Sequence, residues 1–190
     1  MVETIAPVVH GGRNRSYWTA VLLHALGATL SAALFGAFLG GLGDLLGAPW
    51  GDAGLIALAV VALIYAMREL FGLPIPLPDL DRQVPEWWRT FFSKNVAAFL
   101  YGIGLGIGFL TYLSFGTYAA VMTGAFISGD VRTGAVICGA FGLARGLGVM
   151  LTSAMQHDVV DSLGNIALRR HPAIVNALAL APVVVIAATL

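Results

Sequence analysis

The chain has 190 residues, 58 % hydrophobic and 11 % charged, with zero formal net charge and a mean hydropathy of +0.87. Soluble domains carry roughly 25 % charged residues, so this composition excludes an ordinary water-soluble fold as the first reading. The neutral balance offers no basic footprint for nucleic acid, and the single cysteine, Cys138, excludes an internal disulfide or an intramolecular dithiol relay.

Residues 1–16 are polar and include Arg13 and Arg15; an apolar run then extends from Tyr17 to Leu46. A cleavable signal has an apolar core of only about 7–15 residues, so this run is expected to be a retained first span. A second span is predicted over Ala53–Phe71. The segment Leu73-Pro74-Ile75-Pro76-Leu77-Pro78 cannot continue it, because alternate residues lack an N–H. Residues 85–94 then place Trp87, Trp88, Phe91 and Phe92 on one helical face beside Arg89 and Lys94, the make-up of a short helix lying in a membrane interface. Further spans are predicted over Val96–Ile127, Thr133–Thr152 and Pro172–Leu190, with a polar segment, Gln156–Arg170, before the last. About 20 apolar residues cross a bilayer, so the first and third spans are long and are read as single tilted helices; broken or re-entrant segments are the alternative.

The basic residues set a topology. Arg13 and Arg15 precede the first span, Arg68, Arg82, Arg89 and Lys94 surround the second gap, and Arg145, Arg169 and Arg170 surround the fourth. The first gap has none and the third only Arg132. Basic residues near span ends stay on the cytoplasmic side. The expectation is an all-α, polytopic integral membrane helix bundle of about five transmembrane helices, or six or seven if the long spans break. It lies in the cytoplasmic membrane with its N-terminus inside and its C-terminus outside.

A duplication is also expected within this single membrane domain. A long glycine-rich span, a Gly-Asp turn (Gly51-Asp52, Gly129-Asp130) and a shorter span with an inner arginine (Arg68, Arg145) recur at an offset of about 77. The hairpins 17–71 and 96–152 are then parallel repeats, a design in which a site lies between the repeats, and the span 172–190 is an addition. Gly36/Gly40, Gly43/Gly47, Gly102/Gly106, Gly104/Gly108 and Gly142/Gly146 repeat the GxxxG spacing that lets helices approach closely. The same faces would serve a homo-oligomer or a larger membrane complex, so the expected partners are the lipid bilayer and other membrane helices.

Arg145 lies within an apolar span, where arginine is costly and either snorkels to the headgroups or lines a cavity. Arg68, nearer its helix end and followed by Glu69, favours the first use. His24 and His171 fall near the same inner side and are read as packing residues, with haem ligation or proton transfer as the sharper alternative. Thr111, Tyr112, Ser114 and Thr117, with Tyr118, form the densest polar group in any span and are candidates to line a pathway. His157, Asp158 and Asp161 are weak candidates for a divalent metal, and no cofactor is selected by any spacing.

In its glycine-rich paired hairpins, and in the stretches Tyr101–Phe109 and Phe141–Gly146, the chain resembles small duplicated bacterial membrane transport proteins of the CcdA/DsbD and LysE type. The thiol relay of the CcdA type needs a cysteine in each half, and only Cys138 is present, so that chemistry is not implied. The resulting expectation is a non-enzymatic small-solute transporter or exporter with an inward-facing site near Arg145. A non-catalytic subunit or scaffold of a membrane complex is the alternative, and a metal-dependent enzyme acting on a lipid-linked phosphate comes third.

Overall fold

The computed structural model describes residues 10–12, 14–77, 87–108 and 116–155, together with positions 174, 177, 178, 180 and 181. All regular structure among them is helical: α1 (Arg15–Leu45), α2 (Asp52–Phe71), α3 (Trp88–Phe91), α4 (Lys94–Ile107), α5 (Thr117–Ile127) and α6 (Val131–Met155). The described residues of the predicted last span are helical, and most of that span lies outside the described residues, as does the segment 156–170. Two helices, α1 and α2, are long and apolar enough to cross a membrane, whereas α4 and α5 are apolar but shorter.

Local chemistry sets these boundaries. Asn14 caps α1, its side-chain oxygen accepting the Tyr17 N–H at 3.0 Å. From there Ala and Leu predominate and no proline intervenes, so α1 forms as the single long helix expected. Gly72 closes α2 in the left-handed region, its N–H donating to the Arg68 carbonyl at 2.9 Å. Asp130 caps α6 by accepting the Thr133 N–H at 2.6 Å. That bond holds the exposed Asp130 carboxyl below its usual range. The cap is therefore complete at neutral pH and is lost as the pH falls through the lowered value.

The third span is a correction. It is not one helix: α4 stops at Ile107 and α5 starts at Thr117, with Gly108 ending α4 at φ 76°. Gly102, Gly104, Gly106 and Gly108 each cost about 1 kcal/mol of helix propensity relative to alanine, and Gly108 also adopts a turn that other residues avoid. The broken-span alternative therefore holds for this stretch and not for the first. The interfacial helix predicted over 85–94 is also shorter than expected, comprising only the four residues Trp88–Phe91.

The chain divides into two compact units, 1–35 with 79–112 and 138–161, and 36–78 with 113–137 and 162–190. In the first, α1 and α4 run parallel with their backbones in contact. A Cβ on Gly102 would strike the His24 carbonyl, and one on Gly106 would strike the Ala28 carbonyl and the Ser31 hydroxyl. α6 runs antiparallel to α1 there, with Gly142 against Ala28 and Ala32 and Gly146 against Ala25. In the second unit α2 and α5 are antiparallel, Gly54 meeting Ile127 and Gly116 meeting Tyr65. Its core gathers Ala62, Ala66, Ala120, Ala177 and Leu180 around Tyr65.

Large and small side chains are sorted in an unusual sense. Along α1 the contact face holds Ala20, His24, Ala28, Ser31 and Ala32, all buried. Its outer face presents Trp18, Leu22, Leu26, Leu30, Leu34 and Phe38 at four-residue intervals, with Leu34 72 % exposed. Each four-residue step turns by about 40°, so the six side chains form one stripe that winds slowly around the helix.

Candidate functional site

Arg145 projects from α6 within the first unit and donates from its guanidinium to the Leu105 carbonyl at 3.1 Å. Leu105 is among the last residues of α4, whose terminal carbonyls have no partner in their own helix. A cation there meets the negative end of the helix dipole and satisfies an orphan acceptor. The same guanidinium lies 5.9 Å from the centre of the Phe141 ring. Its geometry is that of a cap on the break in the third span. Arg145→Gln should lose this charge-assisted bond and cost about 2 kcal/mol in unfolding experiments on the micelle-solubilised chain.

His24 is 1 % exposed and packs in the first unit against α4, its Nδ1 3.2 Å from the Ala98 carbonyl. A carbonyl only accepts, so Nδ1 donates; Nε2 is buried without a hydrogen-bond partner among the described residues. The Ala98 carbonyl sits inside α4 and is served by its own ladder, so loss of the imidazole orphans nothing. His24→Leu is therefore expected to change stability by less than about 1 kcal/mol, because the lost bond is offset by relief of the unpaired nitrogen. A loss several times larger would mean that Nε2 has a partner in the working protein.

Sequence reasoning passed over two residues. Ser31 is buried between α1 and α4, its one hydroxyl proton shared between the Gly27 and Ile103 carbonyls at 2.9 and 3.0 Å. Beside it lies an apolar cavity of about 570 Å³ lined by Leu30, Ser31, Leu34, Phe35, Phe99, Ile103 and Ile107. In the second unit Glu69, with a side chain 5 % exposed, receives the Arg68 guanidinium at 2.8 Å and the Gly116 N–H at 3.0 Å. Gly116 caps α5, so a carboxylate stands at the positive end of that helix. Arg68 also donates to the Ile75 carbonyl at 2.8 Å, and Tyr65 to the Pro76 carbonyl at 3.2 Å, tying the proline-rich strap back to α2. Glu69 was visible as a lone acid in the last turn of an apolar helix, which is a costly place for an unpaired carboxylate.

Two of the predicted site residues fall together in the first unit. Arg145 and His24 both reach α4 but contact it at Leu105 and Ala98, two turns apart, and Arg68 belongs to the second unit. Thr117 is half-buried at the start of α5. Thr111, Tyr112 and Ser114 lie outside the described residues, as do His157, Asp158, Asp161 and His171. No three metal-ligating side chains group together among the described residues.

No family model matches this chain, and no solved structure does. Among curated proteins it is 34 % identical over 152 residues to methylamine utilization protein MauF of Paracoccus versutus, covering 78 % of this chain and 55 % of that protein. The Paracoccus denitrificans protein of the same name is 30 % identical over 154 residues, 80 % of this chain and 56 % of the relative. That of Methylobacillus flagellatus is 36 % identical over 127 residues, 66 % of this chain and 45 % of the relative. The chain thus spans about half the length of the curated relatives it matches. These relatives correct two expectations. The likeness to CcdA/DsbD and LysE transport proteins does not hold, since the matching proteins carry the MauF name. The transporter or exporter reading falls with it, and the residue on which it rested, Arg145, is engaged with the end of α4.

Proposed function

We propose that this chain is a membrane-embedded accessory protein of methylamine utilisation, acting through its helical framework and not by conducting a solute. The observation that carries the reading is its 30–36 % identity to MauF proteins across most of its own length. Support for the membrane comes from the sorting of side chains on α1. A stripe from Trp18 to Phe38 left bare in water would be a severe aggregation liability, whereas the same stripe against lipid tails needs no cover. Alanine and glycine contact faces with the bulky residues turned outward are what helix association in a bilayer favours.

The architecture that fits is a polytopic bundle of two parallel hairpins and a further helix, with the N-terminus inside. At 14 and 11 residues, α4 and α5 span roughly 21 and 16 Å, so neither crosses a bilayer core of about 30 Å alone. Counting residues 94–127 as a single broken crossing in the sequence keeps the basic residues on alternate sides as the topology requires.

Disrupting the gene in its host tests the function. Growth on methylamine should fail while growth on succinate continues, and unchanged growth on methylamine overturns the proposal. Alkaline carbonate extraction tests the location: the chain should stay in the membrane pellet, and release into the supernatant counts against an embedded protein.

A further inference from the structure

Parallel packing brings two separated segments to one end of the first unit. His24 meets Ala98, Gly102 meets His24 and Ala28, and Gly106 meets Ala28 and Ser31. Traced back from these contacts at about 1.5 Å per residue, the start of α1 reaches about one turn beyond the start of α4, which puts Trp18 level with Lys94 and Arg15 level with α3. Arg15, Tyr17 and Trp18 therefore share an end with α3 and Lys94.

At that end the aromatic residues are divided between two jobs. Trp88 turns inward, packing on Ala97 and Tyr101 with its ring 5.9 Å from that of Tyr101. Trp87, Phe91 and Phe92 stay exposed, with Phe91 and Phe92 at 5.8 and 6.3 Å from the Trp87 ring. Trp18 is exposed as well, edge-on to the buried Tyr17 at 5.2 Å. The charge is of one sign: the charged residues among the described part of this unit are Arg15, Arg89, Lys94 and Arg145, with no carboxylate. Arg15 and Lys94 are exposed.

We propose that this end of the first unit is an interfacial anchor, with Trp18, Trp87, Phe91 and Phe92 at the headgroup level of a bilayer and Arg15 and Lys94 holding anionic phospholipid headgroups. The proposal rests on the membrane reading above. Aromatic rings collect at this depth because one edge is apolar and the other tolerates water. Among the described residues the rim is basic, which complements the negative surface of a cytoplasmic leaflet, with each basic residue changing lipid preference by about five-fold. A water-facing cluster of four bare rings has no such partner.

The test uses the full chain in vesicles of phosphatidylcholine and phosphatidylglycerol, with nitroxide labels on Phe91→Cys and, separately, Leu34→Cys, each in a Cys138→Ala background. The Phe91 label should report headgroup depth and the Leu34 label hydrocarbon depth. A Phe91 label in bulk water with Leu34 in hydrocarbon overturns the anchor and leaves the membrane reading standing. Both labels in water overturn the membrane reading itself. For the lipid preference, brominated phosphatidylglycerol should quench tryptophan at about one-fifth the concentration needed for brominated phosphatidylcholine. Arg15→Gln with Lys94→Gln should bring the two lipids to parity, and parity in the parent chain overturns the anionic specificity.

Discussion

Gly102→Val is expected to destabilise the folded chain by about 3 kcal/mol. The Cβ would enter the space of the His24 carbonyl, and the nitrogen of Ala28 is only 3.1 Å away. Both obstacles are backbone, so neither can rotate aside as a side chain would. The helices must separate, and the Ser31 bond to Ile103 and the His24 bond to Ala98 are lost with them. Unfolding of the micelle-solubilised chain by sodium dodecyl sulfate measures the change. Gly148→Ala is the matched control, since a Cβ there meets nothing within 4 Å. It should be neutral or stabilising by up to about 1 kcal/mol through helix propensity alone. Equal losses in the two variants would show that α1 and α4 are not in backbone contact.

Glu69→Gln is the second large effect, about 2 kcal/mol of lost stability. Removing one partner of a buried pair costs about 3–5 kcal/mol. The Arg68 side chain is 23 % exposed, so part of its charge is recovered by solvent and the lower figure applies. The amide side chain of glutamine still accepts from Gly116, which isolates the charge from the hydrogen bond. Arg68→Gln alone should also destabilise, and the double variant should recover part of the sum, giving a coupling of roughly 1 kcal/mol in the double-mutant cycle. Additive losses would show that the two side chains do not act as a pair.

How much of this was legible in the sequence varies by element. The first two helices follow from long apolar runs between glycine and proline punctuation, and both form close to the expected bounds. The break after Ile107 was only an alternative, because hydropathy measures burial in lipid and is blind to the backbone freedom of alternating glycines. The glycine spacings did mark close helix contact. Gly102, Gly106, Gly142 and Gly146 all lie against another backbone or an alanine, but spacing does not say which helix is the partner. Arg145 stood out as an anomaly, but its acceptor was not legible. Its acceptor is a carbonyl 40 residues away that is orphaned only because α4 ends early. Glu69 was visible as an acid in an apolar helix, but its role was hidden for a related reason, since the amide it serves is freed by the start of α5. Both charges answer a break in the helix, and neither role exists in the unbroken span that hydropathy suggests.

The small-residue face of α1 also bears on how the protein is made. A ribosome delivers α1 first, with His24 and Ser31 already inside an apolar segment. The carbonyls that receive them belong to Ala98 and Ile103, 74 and 72 residues further along the chain. The glycines of α6 that close against Ala25 and Ala28 come later still. On the membrane reading proposed above, the first helix waits beside the insertion machinery, its polar groups provisionally served, until α4 arrives. Truncation after residue 92 should leave α1 without those acceptors and prone to rapid degradation, whereas extension through Ile107 restores them. On the proposed membrane reading, quality control during synthesis thus depends on α1 pairing with α4 after the first hairpin is made and before the second is complete.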